Sequence, residues 1–178
     1  AMAIDCKKIA NEFYGGHAEI LSYPIVPLAE FMYAYTPLDK LPESVRELWE
    51  YHPDKAKQLL AEAGYPKGFK TEIVCYAPQV DILSIIKSYW AAIGIELKLD
   101  VKEYGVYDSI QSLRTHKEML YRYGGLANPA RIHYARAGGP QNASIIVDEY
   151  IEESVKYLGA NYFDEAKKRQ RIKEVTLY

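Results

Sequence analysis

The sequence predicts an α/β fold in which helices flank a mixed β-sheet. The first observation is a strict alternation of apolar and charged residues over 95–102, which is typical of a strand with one buried face. The second is a β-branched and aromatic segment at 71–76, followed by an apolar helical stripe over 80–93. A strand, a helix and a strand in this order form a βαβ unit, whose two strands are normally parallel.

The chain before this unit is predicted to hold one helix, a proline-rich connection and a second helix. The apolar stripe of the first helix begins at the first residues, with no capping residue before it. Its members are Met2, Cys6, Ile9, Ala10 and Phe13. Prolines across 17–52 predict an extended, ordered connection with short helical turns around 28–33 and 43–50. Pro53 suits the first position of the next helix, and Gly64 suits its C-terminal end.

The chain after this unit continues the alternation of helices and strands. A helix is predicted over 106–113 and a strand at 118–123, and the Gly- and Pro-rich residues 124–144 are predicted to be irregular. Helical spacing returns from Val147, and a last helix runs from Asp164 with no Gly or Pro stop. Two helical ends without capping signals indicate a chain cut from a longer protein at both ends.

These elements give four segments within one domain. Residues 1–52 form the first helix and the extended connection, 53–123 the α/β core, 124–144 an irregular loop and 145–178 the C-terminal helices. The length of 178 residues is that of one domain or one lobe, since a domain has roughly 100–200 residues.

The composition excludes several classes of protein. The 22 Lys and Arg against 24 Asp and Glu give a net charge of -2, whereas nucleic-acid binders show a basic excess. No apolar run approaches the roughly 20 residues that span a bilayer. Tyrosine is the outlier, with 17 Tyr against 4 Phe and 2 Trp. Tyrosine suits half-exposed clefts, and the alternative is a core built with Tyr in place of Phe or Leu.

No sequence signature of an enzyme is present. The sequence lacks HExxH, a GxSxG elbow and a phosphate-binding glycine loop, and its four histidines have no metal-ligand spacing. We therefore predict no catalytic residue, no metal site and no cofactor. A small α/β hydrolase without a recognisable motif remains the alternative from a different class.

Three smaller features each leave two interpretations open. Cys6 and Cys75 either form a disulfide in an oxidising compartment or are two buried free thiols. Asn142-Ala143-Ser144 matches a glycosylation sequon, a pattern that is frequent by chance. The basic run at 167–173 is interpreted as a solvated helix face, and the alternative is a surface that binds an anionic protein partner.

Loops that follow strands of an α/β sheet are where ligands usually bind. Three such loops are candidates, at 76–80, 103–107 and 123–136, and each carries tyrosine. The predicted ligand-binding residues are Tyr76, Gln79, Tyr104, Tyr107, Tyr123, Gly124, Gly125, Asn128 and Arg131. The alternative is that these tyrosines only brace their loops.

Several segments together resemble the extracellular solute-binding proteins of peptide- and nickel-type ABC importers, family 5. The most specific match is the segment HPDKAKQLLAEAGYPKGFK at 52–70. Members of the family carry the pattern AKxLLxEAGYPxGF after a Pro. AIDCKKIANEFYGGHAEI at 3–20 is similar to the family's AID helix and YGG turn. IKSYWAAIGIELKL at 86–99 is similar to the following helix and strand, and Asn142, Ser144 and Asp148 fit a later segment.

The resemblance implies one lobe of a two-lobed periplasmic-binding-protein (type II) fold, namely most of the C-terminal lobe. It implies a protein that is not an enzyme and that captures a peptide or a related polar solute by lobe closure. Its partners would be the permease subunits of the importer and the N-terminal lobe of the same full-length chain. It also implies a periplasmic or lipid-anchored extracellular location, with a signal upstream of this chain.

One departure from the family pattern bears on the ligand. In peptide-binding members an acidic residue in a Trp-x-x-Asp-Tyr-x-x-Pro segment pairs with the α-ammonium of the peptide. The corresponding segment here, 123–129, has neither the Asp nor the Trp, and Asn128 stands nearest. An amide accepts a hydrogen bond but does not neutralise a cation. An oligosaccharide is therefore the alternative ligand, and the tyrosine surplus suits stacking on sugar faces.

Overall fold

The structure is a computed structural model, and it describes residues 1–22, 25–122, 136, 142 and 144–177. The chain divides into two compact units. The first comprises Ala1–Ile20, Leu41–Ile110 and Thr115–Arg122, and the second comprises Leu21–Lys40, Gln111–Arg114 and Tyr123–Tyr178.

A parallel β-sheet forms the centre of the first unit. Its strands are β1 (Lys70–Tyr76), β2 (Glu96–Lys102) and β3 (Met119–Leu120), in the order β2-β1-β3. β1 and β2 pair in parallel along their whole length, with Tyr76 opposite Lys102 at the end. The predicted α/β class and the parallel βαβ unit are confirmed, whereas the three strands of the described residues are all parallel and not mixed in direction.

β3 is shorter than the sequence predicts. The prediction placed a strand at 118–123; within the described residues 118–122, Met119–Leu120 pair with β1, opposite Ile73 and Val74. Because β3 is also parallel to β1, the carboxyl ends of all three strands lie at one edge of the sheet.

Five helices accompany the sheet in the described part of the first unit. They are α1 (Cys6–Lys8, continued as a π-helix over Ile9–Phe13), α2 (Glu43–Arg46), α3 (Pro53–Glu62), α4 (Val80–Ala92) and α5 (Tyr104–Leu113). The division between the two units falls within α5, after Ile110. Short 3₁₀ turns occupy Glu47–Trp49 and Ala77–Gln79. The helical turns predicted around 28–33 and 43–50 are confirmed, the former as the 3₁₀ turn Ala29–Phe31.

The core of the first unit consists of two clusters joined by Trp90, which packs against both. The larger cluster unites α4 with the sheet through Ile73, Cys75, Ile82, Leu83 and Leu97. The smaller cluster holds Met2, Ala3, Ala56, Ile93 and Ile95. Burying a leucine side chain stabilises a fold by roughly 1.5–3 kcal/mol, and Leu83 and Leu97 are both 1% exposed.

The predicted uncapped start of the first helix is wrong. The helix begins at Cys6 rather than at the first residues, and the side chain of Asp5 accepts a hydrogen bond from the Lys8 amide at 2.9 Å. Met2 and Ala3 precede the helix and are buried in the smaller cluster. Their apolar character therefore reports packing of a turn and not the first turn of a helix.

The alternating strand and the following loop also differ from the prediction. Ile95 and Leu97 are buried as predicted, but Val101, near the carboxyl end of β2, is 49% exposed. The segment 103–107 was predicted to be a loop, yet α5 begins at Tyr104. Within α5 the buried residue is Tyr107, while Val106 and Leu113 are exposed.

The second unit contains two longer helices, α6 (Glu149–Ala160) and α7 (Glu165–Leu177), as the sequence predicts. The side chain of Asp148 caps α6 by accepting from the Ile151 amide at 3.0 Å. The core of the second unit joins α7 to the segment Leu21–Lys40 through Ile25, Ala34 and Ile172. Within the described residues, no helix has the length and apolar character that a membrane-crossing segment needs.

Candidate functional site

The candidate site lies in the first unit, at the edge of the sheet where the strands end. Tyr76 is the last residue of β1, and Tyr121 directly follows β3. Tyr104 and Tyr107 lie on the first turn of α5, which follows β2. In open α/β sheets ligands bind outside the carboxyl ends of the strands, and this edge is therefore the expected position of a ligand site.

Three tyrosine rings pack against one another at this edge, and we call Tyr76, Tyr104 and Tyr107 the tyrosine cluster. The ring centroids of Tyr76 and Tyr107 lie 4.8 Å apart, and those of Tyr76 and Tyr104 lie 5.2 Å apart. Tyr104 and Tyr107 are stacked at 6.4 Å. The three predicted residues thus meet, although Tyr76 ends β1 and the other two lie on the first turn of α5.

Gln79 supports the tyrosine cluster through hydrogen bonds to the backbone, and its side chain is completely buried. Its Oε1 accepts from the Tyr76 amide at 3.1 Å, and its Nε2 donates to the carbonyl oxygen of Tyr121 at 3.3 Å. The side chain therefore joins the end of β1 to the end of β3. Buried polar groups of this kind are costly to leave without a partner, so Gln79 fixes the backbone on which the rings stand.

Tyr107 is the buried member of the cluster, and only 4% of its surface is exposed. Its hydroxyl donates to the Tyr121 carbonyl oxygen at 2.7 Å. Burial raises the pKa of the Tyr107 hydroxyl above its ordinary value. The group therefore remains protonated at neutral pH and acts as a hydrogen-bond donor.

The charged residues next to the cluster interact with groups of the protein. The Nζ of Lys102 lies 2.9 Å from Oδ1 of Asp100 on the same strand. The Glu103 carboxylate accepts from the Gly105 amide at 3.0 Å, at the start of α5. The surface beside the rings therefore carries a neutralised ion pair and a carboxylate that caps a helix.

Four of the nine predicted ligand-binding residues are brought to this site, namely Tyr76, Gln79, Tyr104 and Tyr107. The other five lie outside the described residues: Tyr123, Gly124, Gly125, Asn128 and Arg131. Sequence reasoning missed the carbonyl oxygen of Tyr121, which accepts from both Gln79 and Tyr107. A backbone atom has no residue-specific signal, and the sequence placed Tyr121 inside the strand predicted at 118–123.

The two cysteines are free thiols in the structure. Cys75 is completely buried in the core, and Cys6 is half-buried. Burial raises the pKa of both thiols, which keeps them protonated and weakly nucleophilic. Among the described residues, no three His, Cys, Asp or Glu side chains are grouped so that they could hold a metal ion.

The glycosylation motif has a structural role in the second unit. Asn142 is 5% exposed, and its Nδ2 donates to the carbonyl oxygens of Arg136 at 3.2 Å and Ile146 at 2.9 Å. Ser144 donates to Asn142 Oδ1 at 2.6 Å. Glycosylation needs this same nitrogen at an accessible surface, so the motif does not mark an accessible acceptor.

The basic run of α7 is engaged within the second unit. Lys167 pairs with Asp164 at 3.2 Å, and Arg171 pairs with Glu174 at 3.6 Å. The guanidinium of Arg171 also lies 4.8 Å from the ring centroid of Tyr157, a distance typical of a cation–π contact. These contacts favour the interpretation of the run as a solvated, internally paired helix face.

The fold is one that extracellular solute-binding proteins share. Residues 1–143 match the family described as bacterial extracellular solute-binding proteins, family 5 Middle, and the chain belongs to this family. The resemblance seen at 3–20, 52–70 and 86–99 is confirmed. The members of this family are substrate-binding components of transporters rather than enzymes, and they are periplasmic or extracellular.

Individual proteins match over different shares of their length. The chain is 32% identical over 112 residues to heme-binding protein A of Haemophilus influenzae. The aligned region covers 59% of this chain and 19% of that protein. The periplasmic binding protein DppA of Helicobacter pylori, solved with a bound peptide, is 26% identical with a TM-score of 0.71. That match covers 98% of this chain and 34% of DppA.

A third protein shares the fold at lower sequence identity. It is the mannohexaose-bound oligopeptide-binding protein of Thermotoga maritima, with a TM-score of 0.73 and 20% identity over 99% of this chain and 37% of that one. The chain thus spans about a third of these two solved proteins and about a fifth of the heme-binding relative. The two-lobed type II fold of the solved proteins confirms the predicted fold class, with this chain covering part of it.

Proposed function

We propose that this chain is the C-terminal ligand-binding lobe of a longer protein that captures a peptide or a related polar solute for an ABC importer. The observation that carries the proposal is the tyrosine cluster at the carboxyl ends of three parallel strands, in a member of family 5. The cluster offers an exposed ring on a rigid support, which is the arrangement that a binding surface needs.

The mechanism is closure of two lobes around the solute. Contacts to both lobes favour the closed state, because a ligand shifts an equilibrium only by its differential affinity for the two states. The tyrosine cluster is this lobe's contribution, and an N-terminal lobe of the same full-length chain supplies the opposite face. Permease subunits of the importer then receive the solute from the closed protein.

The proposed location is the periplasm or the outer surface of the cell, with a signal upstream of the present sequence. Membership of a family of extracellular binding proteins supports this location. A lipid-anchored protein on the outer surface is the alternative to a free periplasmic protein. Mass spectrometry of the mature full-length protein would identify a cleaved signal and any attached lipid, and an uncleaved cytoplasmic protein would contradict the location.

The experiment that tests the function uses the full-length gene product. We expect a solute to co-purify with it and to be identified by mass spectrometry after denaturation. Calorimetry with that solute should give sub-micromolar binding to the full-length protein and much weaker binding to the 178-residue chain, because half of the contacts are missing. Equally tight binding to both would contradict closure between two lobes.

An oligosaccharide is the second candidate solute. The observation that favours it is the mutual packing of three tyrosine rings, one of which is 58% exposed. Identification of a sugar rather than a peptide in the co-purified material would select this candidate.

A further inference from the structure

The tyrosine cluster has a graded exposure that defines which face meets a ligand. Tyr107 is 4% exposed and Tyr104 is 58% exposed, while Tyr76 lies between them and contacts both rings. Tyr107 and Tyr76 thus form the support, and Tyr104 presents its ring to solvent. An exposed aromatic ring that is held by two others loses little conformational freedom on binding, which favours its use as a contact surface.

Several polar groups beside the rings already have partners within the protein. The Tyr107 hydroxyl donates to the Tyr121 carbonyl oxygen, and burial raises its pKa, so it bears no charge at neutral pH. Asp100 and Lys102 pair with each other at 2.9 Å, and Glu103 caps the first turn of α5. A charged ligand group would have to compete with these existing contacts, whereas a neutral flat ring need not.

We propose that the part of the solute contacting this lobe at Tyr104 is an uncharged ring face, packed flat or edge-on against the Tyr104 ring. This inference rests on the proposed function and specifies the ligand chemistry of the same site. Aromatic rings attract the polarised C–H or π face of a second ring at centroid distances of 4.5–7 Å. A sugar ring of an oligosaccharide and an aromatic side chain of a peptide share this chemistry.

The test measures binding of four probes to the full-length protein by calorimetry. Mannohexaose and the dipeptide Phe-Phe carry ring faces, whereas Ala-Ala and Glu-Lys do not. We expect at least one ring probe to bind more tightly than both probes without a ring. The ring probe that binds identifies the source, a sugar or an aromatic peptide.

Variants then assign the contact to Tyr104. Tyr104→Ala should weaken binding of the ring probe by about tenfold, while Tyr104→Phe should stay within about twofold because the ring remains. Tyr65→Ala is the matched control, since Tyr65 is 51% exposed and lies before β1, away from the strand ends. Urea unfolding followed by tryptophan fluorescence checks that each variant folds.

The outcomes separate the two proposals. If a probe binds but the Tyr104→Ala variant binds it equally well, or if Ala-Ala or Glu-Lys binds as tightly as the ring probes, the ring-face inference is overturned while the transport function stands. If no probe binds and no solute co-purifies with the full-length protein, the proposed function fails and the inference fails with it.

Discussion

Gly68 and Gly94 are in direct backbone contact, and a β-carbon at Gly68 would lie 1.8 Å from the carbonyl oxygen of Gly94. Both residues have positive φ, at 72° and 90°. The contact presses the turn before β1 against the turn before β2, and beside it the Glu96 amide donates to the Phe69 carbonyl oxygen at 2.9 Å. The parallel pairing of the two strands starts at this point.

Substituting Gly68 should therefore be more costly than substituting another glycine with positive φ. Gly68→Ala combines backbone strain with a clash against main-chain atoms, and we expect it to lower the free energy of unfolding by about 3 kcal/mol or more. Gly64→Ala is the matched control, because Gly64 has φ of 92° and no atom within 4 Å of the added carbon. Strain alone should cost about 1–2 kcal/mol there.

The measurement for both glycine variants is urea unfolding followed by tryptophan fluorescence. The sequence has 2 Trp, Trp49 and Trp90, and both lie in the first unit, so the signal reports on the unit that holds the contact. Equal losses for Gly68→Ala and Gly64→Ala would show that the backbone contact does not matter for stability.

Removing the amide of Gln79 should destabilise the first unit. Gln79→Leu leaves the Tyr76 amide without its acceptor and removes one donor from the Tyr121 carbonyl oxygen, at an expected cost of about 1–3 kcal/mol. Gln58→Leu serves as the control, because Gln58 is exposed on α3 and its amide donates to the exposed Glu62 on the same helix. The control should change the free energy of unfolding by about 0.5 kcal/mol or less, and a similarly small change in Gln79→Leu would contradict the supporting role.

The first unit should lose stability at alkaline pH. Burial raises the pKa of Tyr107 in the folded state above the value of about 10 in the unfolded chain. Its stabilising contribution is complete below about pH 10 and is lost as the pH rises through the folded-state pKa, because the unfolded chain releases the proton more readily. Raised pKa values of Tyr89 and Cys75, also caused by burial, act in the same direction.

The variant Tyr107→Phe isolates the contribution of the Tyr107 hydroxyl to the pH dependence of the free energy of unfolding. At pH 7 the variant should be less stable than the wild type by about 1 kcal/mol, since it lacks the hydrogen bond to Tyr121. Near pH 10.5 the difference should shrink, because phenylalanine does not titrate. Urea unfolding at the two pH values measures both differences, and a deficit that is the same at both would disprove the pH assignment.

The two thiols should differ in reactivity and should not form a disulfide. Mass spectrometry of the unreduced protein should find both cysteines able to react with an alkylating reagent after denaturation. In the native protein Cys6 should react slowly and Cys75 only on unfolding, because Cys75 has no exposed surface. The variant Cys6→Ser provides the control and should show no reaction while folded. A mass that reports a Cys6–Cys75 disulfide would contradict the structure.

The elements with strong local patterns could be predicted from the sequence. β1, α4 and β2 follow from a β-branched run, a helical stripe ended by Gly94, and an alternating strand, because periodicity reports burial of one face. The weaker patterns failed where packing overrode them. The helix predicted over 106–113 rests on four apolar positions, Val106, Tyr107, Ile110 and Leu113; Tyr107 is buried as expected, whereas Val106 and Leu113 are exposed.

The candidate site was predicted in part. Placing Tyr76, Tyr104 and Tyr107 near the carboxyl ends of strands needed only the rule that ligands bind there, although Tyr104 and Tyr107 lie in α5 and not in a loop. The role of Gln79 as the support of the cluster did not follow, since it depends on the position of the Tyr121 carbonyl oxygen, 42 residues away in sequence. A pattern of side chains does not report which backbone atom of a distant strand it will meet.

The sequence by itself determined the α/β class, the parallel βαβ unit and the family, because these depend on local periodicity and on residue patterns such as the one at 52–70. Only the tertiary structure decided that Asp5 caps α1, that both cysteines remain unpaired and that Asn142 is buried. It also brought three of the 17 tyrosines together as one cluster on a buried glutamine. The capping of α1 and the hydrogen bonds of Asn142 are contacts between near neighbours in sequence, whose geometry a side-chain pattern does not report. The burial of Cys75 and the tyrosine cluster depend instead on strand register and helix placement, which join residues that are far apart along the chain.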